Sequence, residues 1–283
     1  MSFYEFLISN ININNYNIYY KMALSFNKDK AIEHIAILYK NNKEIKNVYF
    51  IDEDDDNDKK KEKLNHIRLN NKDENFFPAI NDFETTQQTQ KIYICGESGC
   101  GKTSYIIAYC FNFHKLYPNN KILLFSSKNE DETIDKLDYI ERVKITDDML
   151  AHPYTLAEIS SISKPSLCVF DDIEDFPNKK LTKEIDRLLN EIIRNGRSYG
   201  IYCCYTHHQP SDYKQTRNLL YEATHVVTFP SRCAKNSYDY LYNNKLHLNT
   251  KAINTLNNTK TNFVCIKKKI PKCIITNNYL ILL

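Results

Sequence analysis

Three of the five glycines in this 283-residue chain fall within one short run, Gly96-Glu97-Ser98-Gly99-Cys100-Gly101-Lys102-Thr103. The run satisfies G-x-x-x-x-G-K-[ST] at every fixed position. An apolar, strand-like stretch (91–95) precedes it and a helix-like stretch (103–114) follows, which is the context that gives this pattern meaning. Glycine lets the backbone curl so that successive N–H groups converge on phosphate oxygens. The helix that follows adds the partial positive charge of its N-terminus. Lys102 is expected to reach the β- and γ-phosphates of a nucleoside triphosphate, and the Thr103 hydroxyl to sit on Mg²⁺. Gly96 through Thr103, with Ser104, form the expected binding set. The expected nucleotide is ATP: no strand ends in a guanine-reading N-K-x-D, and Asn71-Lys72-Asp73 precedes the loop in a polar stretch.

A second element lies downstream. Leu167-Cys168-Val169-Phe170-Asp171-Asp172 is an apolar strand ending in two carboxylates. A buried strand delivers Asp171 to the carboxyl edge of a sheet, where a carboxylate holds the metal of a bound nucleotide. Asp172 is then placed to orient or deprotonate the attacking water, and Glu174 and Asp175 follow it. A third element runs from Ile192 to Ser211: a helix, an arginine-bearing turn, and a strand ending in Thr206-His207-His208. Those three side chains are candidates for contact with the γ-phosphate, His208 foremost. Arg194 and above all Arg197 are candidates to reach a neighbouring subunit's nucleotide as an arginine finger.

From residue 91 onward, strand-like runs alternate with helix-like ones. Strands are expected at 91–95, 122–126, 143–145, 167–170, 201–205 and 225–229, and helices at 103–114, 182–195 and 218–223. In 103–114, Ile106, Ile107 and Phe111 are expected to face the core. In 182–195, Ile185, Leu188, Leu189, Ile192 and Ile193 form a helical stripe. The alternation predicts an α/β fold, a mostly parallel sheet flanked by helices. The tail reads as short strands at 263–266, 273–276 and 279–282. Residues 1–89 read as an N-terminal extension to a domain spanning 90–283. Within the extension, 1–21 reads as poorly ordered, with Met22 a possible second start. Ile32, Ile35, Ala36 and Tyr39 suggest a helical stripe over 31–40, 47–51 a strand, and 52–63 an exposed charged loop.

Composition limits the class. A net charge of +3 leaves no room for a polycation, so any nucleic-acid surface must be local. The nine cysteines are scattered and mostly within apolar runs, without CxxC pairs; this fits a reducing compartment, with the thiols acting as small core hydrophobes. No stretch approaches the roughly 18–20 apolar residues of a membrane span. Residues 1–21 lack the basic and apolar regions of a signal peptide, so an intracellular protein is expected.

Taken together, KIYICGESGCGKTSY (91–105), LLFSSKNEDETIDKL (123–137), SLCVFDDIED (166–175), IIRNGRSYGIYCCYTHHQPSD (192–212), KQTRNLLYEATHVVTFP (214–230) and TNFVCIKKKIP (261–271) resemble the FtsK–HerA superfamily of P-loop ATPases. More narrowly they are similar to the poxvirus-type genome-packaging ATPases of large DNA viruses and virophages. The resemblance implies a homo-oligomeric ring, pentamer or hexamer, threading double-stranded DNA into a preformed capsid at a portal or vertex. It also implies work in the host cytoplasm, in the virus factory, and presence in the virion. FtsK-like motors usually carry Gln at the position of His208, and packaging ATPases often carry Arg near the position of Asn262. A sequence-independent grip on DNA calls for phosphate contacts, for which Lys214, Arg217 and Lys267-Lys268-Lys269 are candidates. The competing readings are another DNA-acting P-loop machine such as a helicase, a small-molecule kinase or GTPase, and an ATP-gated assembly protein without turnover. The stretch after residue 229 is short against an ordinary domain of ~100–150 residues, so no nuclease activity is expected.

Overall fold

The computed structural model describes residues 22–29, 31–52, 66–173, 178–210, 216–234, 237–258 and 260–283. The expectations for 1–21, for the charged loop beyond Asp52, and for Glu174, Asp175, Ser211 and Lys214 lie outside these residues. Among the described residues, the larger of two sheets has ten strands. Its parallel part comprises β6 (Lys91–Cys95), β7 (Ile122–Ser126), β8 (Ile140–Arg142), β9 (Ser166–Asp171), β10 (Ile201–His207) and β11 (His225–Thr228), in the order β11-β6-β10-β9-β7-β8. An antiparallel meander of β12 (Val264–Lys267), β13 (Cys273–Thr276) and β14 (Tyr279–Leu282) continues the sheet beyond β11, and β4 (His66–Arg68) closes that edge. The expected strands are therefore present, but the one expected at 143–145 lies at Ile140–Arg142, where it pairs with Ile122–Leu124.

The central strands carry apolar residues on both faces because both faces are covered. Successive residues alternate between two cores, as the period of two requires. Ile92 and Ile94 of β6, Leu167 and Val169 of β9, and Tyr202 and Cys204 of β10 enter one core. Tyr93 and Cys95, Cys168 and Phe170, and Cys203 and Tyr205 enter the other.

The described helices are α1 (Phe83–Thr86), α2 (Lys102–Leu116), α3 (Asp148–Ala151), α4 (Leu156–Ile162), α5 (Lys179–Asn195), α6 (Arg217–Glu222) and α7 (Thr250–Asn258). Helix α5 buries its predicted stripe, extended by Leu181, against the second core. Helix α2 buries Tyr105, Ile106, Tyr109, Cys110 and Phe113 in the first. Its Phe111, expected inward, is half exposed, because 3.6-residue spacing from Ile106 selects Tyr109, Cys110 and Phe113 instead. Helix α7 and a π-helical turn at Leu241–Lys245 fill a stretch for which the sequence offered no assignment.

The smaller sheet consists of β1 (Met22–Ser25), β2 (Ala31–Lys40), β3 (Lys43–Asp52) and β5 (Glu74–Pro78), antiparallel in the order β1-β3-β2-β5. The helix suggested over 31–40 is thus a strand. The reason is visible in the register: irregularities between Ala31 and Glu33, His34 and Ala36, and Leu38 and Tyr39 interrupt the alternation. The buried residues then fall at Ile35-Ala36 and Leu38-Tyr39, a spacing of three that imitates a helix. Asn41 and Asn42, both at positive φ (50° and 62°), make the two-residue hairpin between β2 and β3. Leu24, Ile35 and Phe50 of this sheet share a core with Ile94 and Val227 of the larger one. Among the described residues, no helix is long and apolar enough to cross a membrane.

Candidate active site

All strands of the parallel part end at one edge. Register pairs Ser126 with Asp171, His207 with Cys95, and Val227 with Ile94. This brings the loops after β6, β7, β9, β10 and β11 together, at the place where open α/β sheets bind ligands.

The loop after β6 begins at Gly96, whose N–H donates to the His207 carbonyl at 3.1 Å. A Cβ there would stand 2.6 Å from Cys100 Sγ and 2.7 Å from Tyr238 Oη, so no side chain fits. Gly99 needs its glycine for conformation, with φ at +75° in open space. Helix α2 then starts after Gly101 with no side chain capping it, and its first N–H groups face the loop's hollow. Glu97, Ser98 and Ser104 are exposed and Thr103 is half-buried at the mouth. Tyr238 supports the loop from beneath: its hydroxyl donates to Cys95 C=O at 3.2 Å and accepts the Phe229 N–H at 3.4 Å. Arg232 reaches the Cys100 carbonyl at 3.5 Å. Neither residue was singled out from the sequence, because both lie in the stretch after β11 that has no periodic pattern.

Lys102 is buried within the loop. Its ammonium donates to Gly96 C=O at 2.9 Å and Glu97 C=O at 3.4 Å, and lies 3.4 Å from His208 Nδ1. Asp171, only 2% exposed, ends β9 opposite it. Burial, then the neighbouring Asp172 charge, push the Asp171 carboxyl above the usual range; the Thr206 hydroxyl, Lys128 and Lys102 offset part of this. Thr206 is the hinge between the two acids: its hydroxyl donates to Asp171 Oδ1 and accepts the Asp172 N–H, each at 3.0 Å. Asp172 turns away in the left-handed region, φ 51°, and aims its carboxylate toward Lys128 and His208. Lys128 Nζ lies 2.9 Å from Oδ2 and His208 Nε2 lies 3.2 Å from Oδ1. Oδ1 itself makes no hydrogen bond. The hydrogen bond to Asp172 raises the Lys128 pKa. With the lysine half exposed, such a pair contributes about 1 kcal/mol or less, so a competing anion can displace it. Lys128 was missed in the sequence; its only signal is its place just after a buried strand.

Lys102, Asp171, Asp172 and His208 thus converge. Arg197 does not. It sits in the 3₁₀ turn Gly196–Tyr199, before β10 begins, at the opposite edge of the sheet. There it lines a cavity of about 240 Å³ with Lys91, Glu222, Thr224, Lys268 and Lys269. Arg194 is also exposed, in the last turn of α5. His207 is buried and turned to Gln209, whose N–H donates to its Nδ1 at 3.2 Å.

Two of the lysines considered for DNA are structural. Lys267 is buried, 2.9 Å from Glu33 and donating to the Pro271 carbonyl at 3.1 Å. Lys268 caps α6 through the carbonyls of Leu220 and Tyr221, and burial lowers its pKa to about 8. Lys269 and Arg217 remain exposed.

The donor set at the site fits Mg²⁺. Asp171 offers a buried carboxylate with one hydroxyl partner, and Thr103 a hydroxyl at the loop's mouth; both are hard oxygen ligands. Mg²⁺ is held by one or two such groups together with phosphates and water, not by a dense protein cage. The described residues contain no cluster of three or more His, Cys, Asp or Glu suited to a metal.

No family model matches the chain. Protein V3 of the Sputnik virophage, itself uncharacterized, is 34% identical over 189 residues, covering 66% of this chain and 74% of that protein. Among solved structures, the genome packaging NTPase B204 of Sulfolobus turreted icosahedral virus 2, in complex with ATP-gammaS, superposes with a TM-score of 0.47 at 13% identity, over 69% of this chain and 98% of that one. The conjugation coupling protein TcpA of pCW3, with ATPgS, superposes with a TM-score of 0.48 at 13% identity, over 82% and 73% of the two chains.

Proposed function

We propose that this chain, which belongs to one family with protein V3 of the Sputnik virophage, is an FtsK–HerA-type P-loop ATPase that drives double-stranded DNA into a preformed viral capsid by hydrolysing ATP. The observation that carries the reading is the convergence of Lys102, Asp171, Asp172 and His208 at the carboxyl edge of one parallel sheet. A fold that only displayed the motif would not bring a buried lysine, a metal-type carboxylate and a second acid together.

In this reading the N–H groups of Gly96 to Thr103 cradle the phosphates. Lys102 leaves the Gly96 and Glu97 carbonyls for the β- and γ-phosphates. Thr103 and Asp171 would hold Mg²⁺, which neutralises charge developing on the phosphates. Asp172 orients the attacking water and takes its proton, with Thr206 fixing the angle between the two acids. Because Arg197 lies at the opposite edge, its candidate role as a finger requires the next copy in a closed ring, where it faces a neighbour's triphosphate. The capsid portal or vertex is the proposed destination of the DNA, and Lys269 and Arg217 are candidate phosphate contacts, alongside Lys214.

ATP turnover should be compared with linear duplex, single strands and no DNA, with the oligomer sized in parallel. Duplex is expected to stimulate turnover, and stimulation to accompany ring formation. Equal rates in all three conditions would overturn the DNA-motor reading while leaving the ATPase intact. For the finger, Arg197→Ala subunits alone and Asp172→Asn subunits alone are each expected to be inactive, and mixtures to recover part of the activity. Mixtures that stay at background in every ratio would remove Arg197 from the site.

A further inference from the structure

Asp172, the group assigned to the attacking water, is occupied. One of its carboxylate oxygens is paired with Lys128 at 2.9 Å and the other faces His208 at 3.2 Å. Asp171 lies beside it on β9, and the Lys102 ammonium stands beyond His208. A carboxylate oxygen already engaged by an ammonium is not free to accept a hydrogen bond from water. The lysine is also held in place. The Lys128 N–H donates to Ser126 Oγ at 3.2 Å, and its carbonyl accepts from Arg142 Nη1 at 2.7 Å. Arg142 is itself forked onto Asp135 Oδ1, through Nε at 3.0 Å and Nη2 at 2.7 Å. A casual surface lysine would have neither its backbone braced on both sides nor a half-buried acid as target.

We propose that Lys128 is a positioning residue that holds Asp172 in a resting pair until a triphosphate fills the loop and draws the ammonium away. The inference rests on the reading of Asp172 as the water-handling group. The incoming γ-phosphate offers Lys128 a more highly charged partner on the same edge of the sheet. Released, Asp172 is left with the Thr206-anchored backbone and His208, free to take a water. Filling of the site and competence for hydrolysis are thereby linked through one side chain that leaves β7 next to β9.

The test uses the full chain with Lys128→Ala, Lys128→Gln and Lys128→Arg, measuring kcat and KM for ATP with and without linear duplex. At saturating ATP without DNA the ammonium is still shared between Asp172 and the γ-phosphate, so loss of the pair in the Ala and Gln variants is expected to raise DNA-free kcat about two- to fivefold, the worth of a half-exposed ion pair. KM should rise, since the γ-phosphate loses the ammonium that moves to it, and the DNA stimulation ratio should fall. Lys128→Arg should restore the wild-type values. A fall in kcat for both Ala and Gln would make Lys128 a transition-state contact and overturn the resting role. Unchanged kinetics in both would make the pair incidental. Wild-type protein without turnover would sink the ATPase reading itself, whereas wild-type turnover with Asp172→Asn equally active would remove only the premise about Asp172.

Discussion

Lys102→Ala is expected to abolish ATP binding. The side chain is buried, and its ammonium is held by two loop carbonyls, Gly96 at 2.9 Å and Glu97 at 3.4 Å. These weak partners exchange readily for phosphate oxygens. Each charge-assisted bond from lysine to a phosphate is worth about 1.5–3 kcal/mol. Loss of contacts to both the β- and γ-phosphates therefore weakens binding on the order of 10²- to 10³-fold or more. A titration with a fluorescent ATP analogue reads the result directly. Retention of affinity within about threefold of wild type, where one bond alone is worth more, would mean that the loop does not grip a triphosphate.

The second large effect separates binding from chemistry. Asp172→Asn keeps the size and shape of the side chain and its N–H bond to Thr206, but removes the charge and the ability to take a proton. Nucleotide affinity should hold near wild type, because the phosphates are gripped from the loop after β6. Turnover should fall about 10²- to 10⁴-fold, the usual contribution of a general base. Single-turnover hydrolysis with the analogue titration in parallel separates the two. A variant that hydrolyses normally would move the role elsewhere, with Glu174, two residues further along the chain, the next candidate.

The elements that could be read in advance are those whose cause is local. Strand β13 at Cys273–Thr276 and strand β7 at Ile122–Ser126 fall where short apolar runs end in polar residues. Helix α5 was legible because one stripe of Leu and Ile at helical spacing has one physical explanation. Errors arose where a non-local event rewrote a local pattern. In β2 the irregular pairing with β3 converts alternation into threes, so a strand reads as a helix. In α2 the choice of buried face depends on what packs against it, which decides that Tyr109 and Phe113 turn inward and Phe111 does not. The lysines at 267 and 268 read as a solvated or DNA-facing run until the fold places Glu33 beside one and the end of α6 beside the other.

The phosphate loop itself was determined by sequence alone. Its chemistry is carried by consecutive backbone N–H groups and by glycines whose freedom needs no partner, so eight residues and their flanks suffice. The place of the acid pair was likewise legible, since a buried apolar strand carries its terminal residues to the carboxyl edge of the sheet. What only the tertiary structure decided is which side chains stand beside them. Lys128 meets Asp172, Thr206 joins the two acids, and His208 reaches Lys102, because β7, β9, β10 and β6 are neighbours in the sheet although far apart in the chain. Arg197 is sent to the opposite edge for the same reason: it precedes a strand whose far end bears His207. Strand order and direction are long-range properties of the packed core, and no local spacing encodes them.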